Sequence, residues 1–363
     1  MSRLLWVVFV AFALVLGISI FRHSKREAAA RAAATLPSTN HHSTNTPRFA
    51  SAARSASAPT PAASTNRNSI MRYMGDLEHL PKLTVAQVEP FLDANHRSAG
   101  SLLAAFRTTE DPRYLREAMQ KFPNDPRVNY AAAFSSDLTP EEQLQALVNF
   151  KQSAPNNALA NYLLAANDFK SGQQAQALQE MADAAKKPGW QDYTADFIQN
   201  AQEAYLAAGY SEVESKMIAG ASALLPDLSQ VKSVGVNLTD LAKSYEQSGD
   251  MASAQTALQS ALSLGQQFNG ATDQPLITTL VGIAIERMAL AAMDPSAPYG
   301  NSTVQEQLNA LTQQRDNLRQ LASQEQGLIS QMNDQDLSNY YDRRRTFGFA
   351  SAIQWAQNRF GQQ

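Results

Sequence analysis

From residue 84 onward, apolar residues return at helical rather than alternating spacing, the pattern of helices with one buried face. No apolar/polar alternation of strand type interrupts it, so the chain reads as all-α. Start signals punctuate the pattern. Thr84 with Gln87 makes a capping box. Asp111–Pro112 and Asp125–Pro126 each set a capping acid before a proline at the first helical position. Thr139, Pro140, Glu141 and Glu142 combine a cap, a first-turn proline and acids at the positive end of a helix dipole. Residues 276–293 form a strongly apolar helix, but Glu286, Arg287 and a short apolar core argue against a membrane span. Residues 303–333 read as one long helix. Leu308, Leu311, Leu318, Ala322, Ile329 and Met332 sit at heptad-compatible positions, and Arg315 and Glu325 interrupt the seam. A last amphipathic helix, 336–359, holds Tyr340, Tyr341, Phe347, Ile353 and Trp355. These two helices are expected to cap the body as a hairpin; a coiled-coil dimer seam is the alternative.

The beginning of the chain has a different pattern. Leu4 to Phe21 is an uncharged apolar run, broken only by Gly17 and Ser19. As a helix of 18 residues it would span about 27 Å, against a bilayer core of roughly 30 Å. Arg3, Arg22, Lys25 and Arg26 flank it and could snorkel to the interfaces. The expectation is an uncleaved single-pass anchor, with the lipid bilayer as partner through residues 4–21. The competing reading is a signal peptide cut near the AAARAAA stretch at 28–34. Residues 27–69 are Ala, Ser, Thr, Asn, Pro and Arg with few large apolar side chains. Such a stretch cannot bury enough surface to offset its ordering entropy. The expected organisation is therefore an anchor with a basic flank at 1–26, a disordered linker at 27–70, helical repeats at 71–270 and C-terminal helices packing on them at 271–363.

Prolines close apolar-periodic runs at Pro123, Pro155, Pro188 and Pro226, at spacings of 32, 33 and 38. Residues 237–265 carry Leu241, Ala242 and Tyr245, then Gly249 and Asp250, then Ala254, Leu258 and Ala261. Small residues at 242, 254 and 261 let paired helices approach, and Gly249 permits a tight turn. Residues 156–188 repeat the logic with Tyr162, Ala165, Ala166, Phe169, Gly172, Ala177, Met181 and Ala184. Residues 195–226 keep Tyr205, Gly209, Ala221 and Pro226 but place Gln202 where a small residue is expected. Over roughly 98–266 the chain resembles the tetratricopeptide-repeat family, here in a bacterial membrane-anchored form. The resemblance implies a tetratricopeptide-like α-solenoid with a C-terminal helical hairpin, preceded by one N-terminal transmembrane helix and a disordered linker. It says little about function, because one solenoid hosts many jobs.

Charge adds an asymmetry. Residues 1–72 hold nine Lys/Arg and one acid, Glu27, whereas 73–363 hold 21 bases and 32 acids. An acidic body disfavours nucleic acid, and the basic flank beside the apolar run points to a membrane surface. Close-flank charges would keep the body in the cytoplasm by the positive-inside rule. The likeness to tethered bacterial envelope proteins places it outside, in the periplasm, and this is the reading adopted.

Candidate chemistry is sparse. There is no cysteine, and all five histidines, His23, His41, His42, His79 and His96, come early. No phosphate-loop, dinucleotide, zinc-protease or nucleophile-elbow motif occurs. Ser229–Lys232, Glu214–Ser215 and the Arg343–Arg345 run read as helix surface. The expectations are no enzyme, no cofactor and no metal. What remains is the concave face of a repeat array, where the candidate partner-binding residues are Asn167, Lys170, Gln199, Glu203, Lys243 and Gln247. The function expected is a membrane-tethered scaffold for an unidentified protein or peptide. The alternative is a structural protein that forms homo-oligomers through residues 303–360.

Overall fold

A computed structural model describes residues 80–223, 225–270 and 275–361. Five short helices open the body: α1 (Val85–Ala94), α2 (Ala99–Thr109), α3 (Pro112–Lys121), α4 (Pro126–Ala133) and α5 (Pro140–Ser153). Three hairpins follow: α6 (Ala158–Lys170) with α7 (Gln174–Ala184), α8 (Thr194–Ala207) with α9 (Glu212–Ala221), and α10 (Pro226–Gln247) with α11 (Met251–Asn269). Beyond them come α12 (Leu276–Leu290), α13 (Val304–Ile329) and α14 (Asp334–Phe360). Between α12 and α13, β1 (Pro298–Tyr299) pairs antiparallel with β2 (Ser302–Thr303). Apart from that small ribbon, the named elements are all helices.

The local signals act as the sequence suggests. The capping boxes of Thr84 with Gln87 and of Thr139 with Glu142 are both closed. The Asp111 and Asp125 side chains accept from the backbone N–H of Arg113 and Arg127. Gly172, Gly209 and Gly249 turn the three hairpins at φ of +73°, +94° and +85°, a region open to glycine at little cost.

The stacking differs from expectation. In a solenoid each hairpin covers its predecessor. Here α8 turns back to pack on α2 and α1, and α10 takes a seat on α6. Tyr205 on α8 donates to the Pro81 carbonyl at 2.7 Å, closing this return. The body is a multi-helix bundle of hairpins without clear tetratricopeptide periodicity. The membrane part of the expected fold is corrected too. Among the described residues no helix is long and apolar enough to cross a membrane. The single-pass anchor, the bilayer contact through residues 4–21, the membrane-tethered function and the periplasm-facing membrane location are corrected accordingly. Residues 1–26 and 27–70, on which anchor and linker were expected, lie outside the described residues.

Two buried polar sites join distant helices. Asp227 in the first turn of α10 accepts from the Tyr130 hydroxyl of α4 at 2.9 Å. The Tyr130 ring packs among Phe134, Phe150, Tyr193 and Phe197. At the other end, Glu325, which interrupts the seam of α13, accepts from Arg344 and Tyr340 of α14, each at 2.6 Å. The rest of the seam faces the chain itself. Leu311, Ile329 and Met332 are buried, and Leu308, Leu318 and Ala322 pack against the common core. Helix α14 is clasped to α9 by Lys216, whose ammonium reaches Ser338 at 2.7 Å and Asp342 at 2.8 Å. The apolar α12 packs on α10 and α11, and its Glu286 is buried, accepting from Asn269 at 2.7 Å.

Candidate functional site

The displaced hairpin leaves a cleft. With α8 gone to α2 and α9 packed on α8 and α14, nothing in sequence order covers α7. Helix α6 packs on α7 and on α10, and α10 packs on α11. The outer helices α7 and α11 stand as walls, and Tyr162 of α6 forms the floor between them. The cleft between the walls has a volume of about 540 Å³. From α7 and its C-cap come Leu178, Met181, Ala182 and Ala185, one face at helical spacing. From α11 come residues 252, 255, 256, 259, 260, 263, 264 and 267, a continuous face of four turns.

The far end is held rigidly. Tyr162, on the floor, donates to Gln267 at 2.7 Å. The Trp190 indole N–H donates to the Gln267 carbonyl at 3.3 Å, and its ring stacks on Phe268 with centroids 4.2 Å apart. Burial pushes the Tyr162 phenol well above its ordinary range, so it stays a neutral donor.

No lining residue carries a charge. Leu178, Met181 and Leu264 supply apolar surface; Gln255, Thr256, Gln259, Ser260 and Ser263 supply amides and hydroxyls. The lining therefore holds no carboxylate, ammonium or imidazole to move a proton, and no ligand set for a metal ion. It can bury an uncharged surface and offer hydrogen bonds along one edge.

The six residues expected on a concave face lie on three helices. Asn167 and Lys170 end α6, and Lys243 and Gln247 end α10, where Lys243 pairs with Asp240 at 3.0 Å. Gln199 and Glu203 are on α8 and bond each other at 2.7 Å. Arg345 of α14 reaches Gln199 there, so a C-terminal helix occupies that part of the face. None of the six lines the cleft. Sequence reasoning missed the cleft residues because they carry no distinctive chemistry. The one signal was the small, uncharged face of 252–264, which reads as packing surface.

No family model matches the chain, no curated protein matches it, and no solved structure matches it.

Proposed function

We propose that this chain is a non-catalytic protein-binding body, built of tetratricopeptide-like hairpins in a broken stack. Its site is the α7–α11 cleft. Its occupant is an amphipathic helix, from a protein or peptide partner, that presents an uncharged face. The charge-free lining carries this reading. Burying an unpaired charge there would cost several kcal/mol, which selects against charged faces, while apolar burial rewards Leu- or Met-like side chains. The shape supports a helix over a compact ligand. The α11 face from 252 to 267 runs about 22 Å along its helix, the form of a groove that takes i, i+3, i+7 anchors. The turn glycines at 172, 209 and 249 support the family reading of the single hairpins. Self-association through 303–360 would need another surface than the α13 seam, which the chain's own core covers.

A library of helical peptides, selected on the full-length chain, tests this. Binders should carry uncharged anchors at helical spacing and protect α7 and α11 amides from exchange. Ala182 and Gln255 are exposed on the walls, so Ala182→Arg with Gln255→Arg should keep the fold. It should weaken binding at least about tenfold, about 1.4 kcal/mol. The pair Lys170→Glu with Lys243→Glu should leave binding unchanged. The reverse pattern would reject the cleft and favour the six polar positions.

A further inference from the structure

The first turn of a helix is where an exposed aspartate is favourable, because the helix dipole is positive there. Asp227 occupies that place in α10 but is fully buried. One carboxyl oxygen, Oδ1, accepts from Tyr130; the other, Oδ2, is buried with no hydrogen-bond partner. A second buried carboxylate, Asp192, stands close enough to act on it electrostatically. Asp192 is already committed just ahead of α8, accepting from the Thr194 N–H at 3.0 Å.

The surrounding groups are few. Tyr130 comes from α4 and Asp192 from the segment leading into α8. Arg107 of α2 lies 3.9 Å over the Phe197 ring, and its Nε is buried without a partner. Arg107 acts on Asp192 and Tyr130 rather than pairing with Asp227. Two buried carboxylates thus act on one another through low dielectric, and the nearby cation acts on Asp192 and Tyr130. Both can be ionised only at a large electrostatic cost.

We propose that Asp227 is a proton-operated latch: protonated, its carboxyl seats the head of α10 on Tyr130 of α4, and ionised beside Asp192 it lets that head lift. Burial first, and then the Asp192 charge, push Asp227 up to about 7, so the latch works near neutral pH. With the head lifted, Asp227 is solvated and titrates near the ordinary 3.8. A group whose seated pKa is raised stabilises the seated form fully below the ordinary value. That contribution is lost as pH rises through about 7. Helix α10 leads into α11, so lifting its head would shift one wall of the cleft. The latch itself does not depend on what the cleft binds.

Two measurements on the full chain, neither using a partner, test it. Carbon NMR of the Asp227 carboxyl should show titration near neutrality; an ordinary acidic titration would overturn the proposal. Hydrogen exchange of the first hydrogen-bonded amides of α10, corrected for intrinsic rates, should show less protection at pH 8.5 than at pH 5.5, by about tenfold or more. Asp227→Asn, a neutral isostere, should flatten that profile, and Asp192→Asn should move its midpoint to lower pH and shrink the loss. Equal protection at both pH values in the natural chain would also overturn it. Should Asp227→Asn fail to fold, the carboxyl titration still decides.

Discussion

Gly282 and Gly327 are both helix-interior glycines with opposite expected responses to alanine. A methyl at Gly282 would come within 2.3 Å of the Asn269 backbone nitrogen and 2.7 Å of the Gly265 carbonyl oxygen. Backbone atoms of a packed helix cannot step aside. Helix propensity favours alanine by about 1 kcal/mol, but overpacking of this kind costs about 1–3 kcal/mol. Gly282→Ala should therefore lower the midpoint of chemical unfolding. Gly327 has open space around its site, so Gly327→Ala should raise it, by about 0.5–1 kcal/mol. Arg344 poses a different problem at the same scale. It is 1% exposed beside Glu325, also 1%, and its Nε and Nη2 lack partners. Arg344→Met alone would strand a buried carboxylate and should cost about 3–5 kcal/mol. Adding Glu325→Leu should restore most of that, as read by the same unfolding midpoint.

Individual elements were largely legible. Caps at Thr84, Asp111, Asp125 and Thr139 and turns at Gly172, Gly209 and Gly249 all come from short-range chemistry, which a sequence states openly. Helix limits at 276–290, 304–329 and 334–360 follow the apolar period within a few residues. Helix neighbours were not legible. The seat of α10 on α6, and of α8 on α2, goes with pairs that tie α10 to α4 through Tyr130 and Asp227 and α8 to the segment before α1 through Tyr205 and Pro81, far apart in sequence and ordinary in type. The candidate site inherits that opacity, because a cleft made by a missing neighbour has no motif. The C-terminal clasp is the element whose role is simplest to probe. Lys216 is buried and bonds Glu212, Ser338 and Asp342. Lys216→Ala should loosen α14 by about 1.5–3 kcal/mol, the range for hydrogen bonds to charged groups. Exchange in residues 338–345 should accelerate while α11 and α12 keep their protection; uniform loss would mean that α14 holds the whole body.

At the scale of the molecule, the return of α8 makes the body close on itself. Open repeat arrays unfold unit by unit because each unit touches only its neighbours. Here α1 and α2 depend on a helix several elements later. A chain ending at residue 191 should lose exchange protection in α1 and α2, although both lie far upstream of the cut. Retained protection there would show that α8 is only an addition. The same closure sets a timetable on the ribosome. α2 is complete at residue 109, yet the helix that covers it ends at residue 207. At about 5–20 residues per second, the apolar faces of α1 and α2 wait on the order of 5–20 seconds for their cover. During that interval the nascent chain offers a hydrophobic surface of the kind chaperones hold, and slowing translation between residues 109 and 207 should lengthen that hold.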